Sequence, residues 1–467
     1  MLAGLFLFVK TVAGFSSVDE AGYRIQFNIK GLSKDSVYYL ANHFADKYLL
    51  EDTAHADTRG MIIFSRKEKL KGGLYTLLYS RQPLLDFIVD QEQEFSIESE
   101  LNGLLKNLKI RGSEENRAYY AYTEVTTAKQ VELGNLTRRL GALKGNADSA
   151  TVISSKMLLL QNELRTYKRS FVTLHPRTLL EKMYNALDDI SIPDSQSDGM
   201  YLHAHYLDNY DFSDERLLRT PILVNALKIY MNNLTVQTPD SLCAAADLVV
   251  GRARAGKETF KFAVYWITST YETMPVLGME GVFVHMVDKY YATGQCYWSS
   301  NSETARLMHQ ARTLKNLLIG KFASDVNGQD SAHLPVHLYG VHARFTLLYF
   351  WNYACPHCQV ITPQLRDWYH KSGKARGAEV FAVCTENNEE EWKKYIQQKQ
   401  LDWNNVFEPG GIDEYRNLFN ITETPKLFIL DSEKKILCNR TMNVELLDSF
   451  LDSIVKQSSA AKTDKPD

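Results

Sequence analysis

The 467-residue chain is too long for one ordinary hydrophobic core, and its 45% hydrophobic and 23% charged residues describe a globular protein, not a disordered or collagen-like one. A formal net charge of -3, from 53 basic and 56 acidic side chains, leaves no basic excess and points away from nucleic acid. Six cysteines are too few for a disulfide-stapled secreted scaffold.

Residues 1–14 hold an apolar run, Leu2 to Val9, of signal-peptide size, with Val12-Ala13-Gly14 as a small-residue cleavage site. The basic n-region is missing, because Lys10 follows the run, so the segment reads as an atypical or truncated export signal. The run is too short to cross a bilayer and no later run reaches that length, so no membrane span is expected in the mature chain.

Residues 20–100 read as a small antiparallel β-sheet domain. Tyr23 to Ile29 alternates with period two and stops at Gly31. Strands follow at Ser36–Leu40, Gly60–Phe64, Gly72–Tyr79, Leu84–Val89 and Glu94–Ile97, with no catalytic cluster among them. Residues 113–320 change to helical spacing, as in Met157, Leu160, Leu164, Tyr167 and Phe171. Helices are expected over 114–140, 154–171, 177–187, 215–232, 239–255, 258–271, 281–291 and 303–319. Such an all-α region more often scaffolds or binds than catalyses.

Residues 321–456 read as an α/β domain. Phe345 to Trp351 is a continuous apolar run, the mark of a strand buried on both faces. A helix carrying 363–370, a strand 378–383, a helix 389–400, a short helical piece 411–419, strands 426–430 and 435–439 and a helix 444–455 follow; residues 457–467 are a polar tail.

Cys355-Pro356-His357-Cys358 falls between the apolar strand and a helix. A cysteine at a helix N-terminus meets unpaired N–H groups that stabilise a thiolate, which makes Cys355 the nucleophile. Cys358, about one turn on, can attack a mixed disulfide and release the product, which makes it the resolving thiol. Pro356 suits the first helical turn, where no N–H is needed, and His357 adds a donor or a positive charge beside the sulfur. Both favour the thiolate and hint at an oxidising pair. Pro363 lies within the expected helix and predicts a kink. Trp351 and Tyr353 flank the dithiol as a candidate apolar rim for a polypeptide substrate; the alternative is packing beneath the active loop. Thr424-Pro425 stands immediately before the strand 426–430, where proline is permitted.

The order strand, helix, strand, helix, strand, strand, helix, with the segments LLYFWNYACPHC (347–358), FAVC (381–384) and ETPKLFILDSEKKIL (423–437), resembles the TlpA/ResA branch of the thioredoxin superfamily. The resemblance implies a cis Thr424–Pro425 bond beside the dithiol, with Pro425 against the sulfurs and the Thr424 backbone free to pair with a bound peptide. KGGLYTLLY (71–79), NYDFSDERLLRTPIL (209–223) and GMEGVFVHMVDKYY (278–291) are similar to multidomain exported proteins of Bacteroides-type bacteria, in which a β domain and a helical domain precede the thioredoxin-like module. The implied activity is exported thiol-disulfide exchange in the periplasm or cell envelope. Its partners are protein thiols or disulfides there and a second redox protein that recycles the dithiol; no cofactor is implied. Ala354 stands where the family often has Trp, and its characteristic acidic residue has no match. The alternative is a binding or assembly protein whose dithiol is structural or anchors partners.

Other motifs carry less. Gly251 to Glu258 nearly spells a phosphate-binding loop, but Glu258 replaces the required Ser or Thr, so a helix–helix junction is expected. His333, His337 and His342 lack ligand spacing, and His357 with the two cysteines makes a poor zinc site. Cys243, Cys296, Cys384 and Cys438 read as small buried residues, with a Cys384–Cys438 disulfide or a regulatory thiol left open. Neither the direction of electron flow nor the oligomeric state is written in the sequence.

Overall fold

The computed structural model describes residues 22–33, 36–143, 147–193, 197–408 and 410–463. The segment read as an export signal lies outside them. The chain divides into two compact units: one runs to Leu234 and takes in Ala253–Thr259, and the other holds Thr235–Arg252 and continues from Phe260.

The first unit starts with β1 (Tyr23–Lys30), β2 (Val37–Phe44), β3 (Lys47–His55), β4 (Met61–Arg66), β5 (Gly73–Tyr79), β6 (Gln82–Val89), β7 (Glu94–Glu100) and β8 (Lys109–Arg111). They form two four-stranded sheets, in the orders β4-β1-β7-β8 and β3-β2-β5-β6. Alternation along β1 turns Tyr23, Ile25, Phe27 and Ile29 inward, where they meet Tyr75, Leu77 and Phe87 from the other sheet in one core. Pairing is antiparallel as expected, except that β1 and β7 run parallel, with Phe27 opposite Ile97. The chain builds all four strands of the second sheet before β7 returns to the free edge of β1.

Two long helices follow, α1 (Glu114–Ala142) and α2 (Ala147–Leu174), meeting around Leu136, Ile153 and Leu160. Ser113 caps α1, its Oγ accepting the Asn116 N–H at 3.2 Å, and Glu114 and Glu115 favour the positive end of the helix. Glu115 is buried and accepts the Leu180 N–H at 2.9 Å at the start of α3 (Leu179–Ala186). Burial pushes its carboxyl up to about 7, against the lowering effect of that N–H. A short helix α4 (Asp198–His205) was not legible from periodicity. The single helix expected over 215–232 is broken: a 3-10 turn, Glu215–Arg219, precedes α5 (Ile222–Ile229), and a π turn, Tyr230–Leu234, follows. Thr220 causes the break, being extended (φ -141°, ψ 160°) as a residue before proline prefers.

The second unit holds most of α6 (Pro239–Ala253) and α7 (Lys257–Glu272), then α8 (Glu280–Met286) and α9 (Asn301–Lys315). The phosphate-loop lookalike falls at the junction of α6 and α7. Next come β9 (Asn327–Gln329), β10 (Pro335–His337), β11 (Phe345–Trp351), α10 (Pro356–Trp368), β12 (Ala378–Cys384), α11 (Glu389–Lys399), β13 (Asn404–Phe407), α12 (Ile412–Leu418), β14 (Lys426–Leu430), β15 (Ile436–Cys438) and α13 (Leu447–Thr463). The helix α13 runs past Gln457, where the sequence suggests a tail.

These strands form one sheet in the order β10-β9-β13-β12-β11-β14-β15. All seven residues of the interior strand β11 are buried, because helices cover both faces. Leu347, Tyr349 and Trp351 point to the face packed by Leu365, Trp368 and Trp392, while Leu348 and Phe350 point to the face packed by Phe419 and Phe428. Each such side chain contributes roughly 1.5–3 kcal/mol by leaving water. Leu317, just beyond α9, and Leu277, just before α8, pack on these cores, so the late helices and the sheet share apolar contacts.

Candidate active site

Strand β11 delivers the chain to the site and β14 brings the second element to it. The antiparallel register sets Phe350 opposite Lys426, so the residues before Lys426 stand beside those after Trp351. After β11, Asn352 turns the backbone: its Oδ1 accepts the Ala354 N–H at 2.7 Å and its carbonyl accepts the Cys355 N–H at 3.2 Å. Cys355 is then the N-cap of α10, extended at φ -74° and ψ 125°, and Pro356 opens the helix. Helix α10 therefore begins at Pro356, earlier than 363, with Pro363 inside it.

The two thiols differ in surroundings. Cys355 is partly exposed, while Cys358 is fully buried. The Cys355 thiol donates to the Thr424 carbonyl at 3.3 Å, and the Asn352 N–H points to Cys358 Sγ at 3.5 Å. Burial pushes Cys355 up, but the N–H groups of Cys358 and His357 and the side chains of Thr424 and Cys358, which stabilise the thiolate, outweigh it, drawing the thiol down to about 7. Burial dominates at Cys358 and pushes that thiol up to about 11. The arrangement gives one accessible, acidic thiol backed by one concealed, weakly acidic thiol.

The Thr424–Pro425 bond is cis. Pro425 and Thr424 are half-buried beside the dithiol, and Pro356 and His357 are exposed at its rim. Tyr353 is half-buried and packs at the edge of the core. Trp351, paired with Tyr353 in the sequence reading as a substrate rim, is 0% exposed and cannot serve there. Strand parity explains this: Trp351 shares the inward face of Leu347 and Tyr349, with its ring 5.2 Å from Tyr395.

Two residues escaped the sequence reading. Asn352 donates through Nδ2 to Glu386 Oε1 at 2.6 Å, tying the turn before the dithiol to the loop after β12. Asn after an apolar strand was a readable turn signal, but Glu386 is brought close only by the parallel pairing of β11 with β12. The other cysteines are set apart. Cys384 and Cys438 end β12 and β15, with β11 and β14 between them. That is three strand spacings, about 14 Å, too far for the disulfide left open above. Burial pushes Cys243 up to about 11 and Cys296 and Cys384 up to about 12, and raises Cys438 as well. His333 approaches Glu389 at 3.5 Å and His337 approaches Asp325 at 3.6 Å, and His342 is exposed before β11. Among the described residues no group of three or more His, Cys, Asp or Glu side chains could hold a metal ion.

A mixed sheet with a cysteine pair at the N-terminus of its first long helix and a cis-proline before the neighbouring antiparallel strand defines a thioredoxin-like domain. Residues 343–436 match the family model described as thioredoxin-like, and residues 189–315 match one described as a domain of unknown function (DUF5106). Among solved structures, a domain of a possible thiol-disulfide isomerase from Cytophaga hutchinsonii is 35% identical over 31% of this chain and 97% of its own, with a TM-score of 0.29. The thioredoxin domain of a thiol-disulfide oxidoreductase from Bacteroides vulgatus is 26% identical over 30% and 96%, with a TM-score of 0.27. A thioredoxin-like protein from Bacteroides caccae is 18% identical over 56% and 97%, with a TM-score of 0.46. No curated protein matches. The chain belongs to the thioredoxin-like family through its C-terminal domain, as the family model and the identity to the Cytophaga domain establish. No helix among the described residues is long and apolar enough to cross a membrane.

Proposed function

We propose that the chain is an exported thiol-disulfide oxidoreductase that exchanges disulfides with cysteines of other cell-envelope proteins. The observation that carries this reading is the inequality of the two thiols: Cys355 is accessible and drawn down to about 7, whereas Cys358 is enclosed and held near 11. In the reductive direction the Cys355 thiolate attacks a client disulfide. One client sulfur leaves as a thiolate and takes up a proton, and the other stays bonded to Cys355. Cys358 then gives up its proton and attacks Cys355 Sγ. The second client thiol departs, and two electrons have passed from the dithiol to the client. A dithiol protein must restore the Cys355–Cys358 pair. Run backward, the same steps oxidise a client. A low thiol pKa stabilises the reduced pair and makes its disulfide the better oxidant. Thr424 and Pro425 border the attacking sulfur, where a client backbone would lie. Pro356 and His357 shape the rim, and Tyr353 offers an apolar edge.

The test is a trap. A C358S chain keeps the attacking sulfur and lacks the resolving one, so mixed disulfides with envelope proteins should accumulate and disappear on reduction. A Cys355 titrating like a free thiol, together with no captured client, would refute this reading in favour of a binding or assembly role.

A further inference from the structure

Beside the dithiol the second unit contains a groove of about 570 Å³, within the range of pockets that enclose short ligands. One bank comes from the thioredoxin-like domain and includes His357, Pro425 and Lys426. The other bank is helical: Glu280 opens α8, and Gln310 and Leu314 lie on α9. Arg440, two residues beyond β15, ties the banks together. Its Nε donates to Glu280 Oε1 at 2.7 Å and its Nη2 to the Met274 carbonyl at 2.8 Å. The groove width is therefore set by a tethered wall.

The charges of the groove are mostly matched internally. Glu280 is paired with Arg440, and Glu272 is paired with Arg306 at 2.7 Å. Lys426 is the exception. It directly follows Pro425 and is half-buried; its Nζ lies 5.5 Å from the Phe428 ring centroid, and among the described residues it makes no hydrogen bond or ion pair. An enclosed ammonium with no carboxylate in contact is costly, and burial, reinforced by Arg440, lowers its pKa against the raising effect of Glu280 and Glu423. Glu423 also borders the groove, but it is exposed, where water screens its charge. Two further polar atoms, Glu280 Oε2 and Asn439 Oδ1, are enclosed acceptors without a donor among the described residues. As residues the two are 9% and 6% exposed, and the Glu280 side chain is 11% exposed. A client segment carrying a carboxylate would supply the counter-charge that the Lys426 ammonium lacks at short range.

Resting on the thiol-exchange reading, we propose that this groove selects clients whose reactive cysteine is flanked by an acidic side chain, with Lys426 as the anion-binding residue and α8 and α9 as the second wall. The helical region, whose residues 189–315 match a domain of unknown function, thereby takes part in client choice.

The test uses the reduced full chain and C-terminally amidated peptides that differ only in having Asp, Ser or Lys beside a single cysteine activated as its pyridyl disulfide. Attack by Cys355 bonds the peptide sulfur to Cys355 Sγ and releases pyridinethione, whose absorbance gives the rate. Each rate is divided by the same protein's rate with uncharged dithiodipyridine. The Asp peptide should react roughly tenfold faster than the Lys peptide, the effect of about 1.4 kcal/mol from one partly desolvated ion pair. Raising the salt concentration to about 1 M should shrink the preference. K426Q should bring the ratio near one and K426E should invert it; K426M, which keeps the apolar stem, should behave like K426Q. A wild-type ratio near one, a preference for the Lys peptide, or a ratio unchanged in K426Q and K426E would overturn the proposal while leaving thiol exchange standing. Failure of the wild-type chain to react with dithiodipyridine itself would overturn thiol exchange, and this proposal with it.

Discussion

Alkylation of the reduced chain with iodoacetamide at pH 7, followed by mass mapping of each cysteine, turns the inequality of the two thiols into a number. A thiol drawn down to about 7 is about half ionised at that pH, whereas one held near 11 is ionised about once in ten thousand molecules. The ratio of thiolates is on the order of five thousand. The more basic thiolate is intrinsically the better nucleophile, by roughly 40- to 100-fold over four pH units at a Brønsted slope of 0.4–0.5. Cys355 should therefore react at least about fifty times faster than Cys358, and the burial of Cys358 should widen the gap. The Cys355 rate should rise with pH to a midpoint near 7 and flatten above it. A midpoint near about 8.5, the ordinary thiol value, or comparable labelling of the two cysteines would refute the reasoning.

Glu115 links pH to stability. Its carboxyl is raised in the fold, so its contribution is complete below the unfolded value of about 4.3 and is lost as pH rises through about 7. Urea unfolding should show the wild-type first unit losing about 1–3 kcal/mol between pH 5 and pH 8 relative to E115Q, whose amide oxygen can still accept from Leu180; equal pH dependence would refute it. In the second unit, Trp392 is 0% exposed, stacks at 5.1 Å on Phe407 and leaves its Nε1 without an acceptor among the described residues. W392A should cost about 3–5 kcal/mol in thermal or urea unfolding. W392F, which removes the unpaired N–H and most closely keeps the shape, should cost under about 1.5 kcal/mol.

Legibility followed the range of the interactions. Where one face of an element is buried, its period was readable, as in β1 and in the wholly apolar β11. Strand β3 was missed because its first five residues, Lys47 to Glu51, are exposed and show no alternation; it is an edge strand held by pairing with β2. Strands β8, β9, β10 and β13 have three or four residues each, too few for a period, and exist through their partners. The placement of Cys355, Pro356 and Cys358 at a helix N-terminus was readable because that is a local structure. The Asn352–Glu386 contact was not, because residues 34 apart meet only through the register of β11 and β12. Trp351 was misjudged by nearness in sequence to the dithiol, although strand parity already separated it from the rim.

The tether from Arg440 to Glu280 and the Met274 carbonyl bears on how this redox domain could be exchanged for another. A foreign thioredoxin-like domain grafted onto these helices would preserve the dithiol but would have to supply its own arginine after the final hairpin. Without it, Glu280, only 9% exposed, would lose the partner of its carboxylate, at a cost below the about 3–5 kcal/mol of a fully buried pair because the Arg440 side chain is 30% exposed. The hairpin and the helices must therefore change together. Chimeras that join related chains should tolerate a seam near Leu234, which leaves only Ala253–Thr259 of the first unit on the far side, better than one at residue 320, which cuts through the second unit.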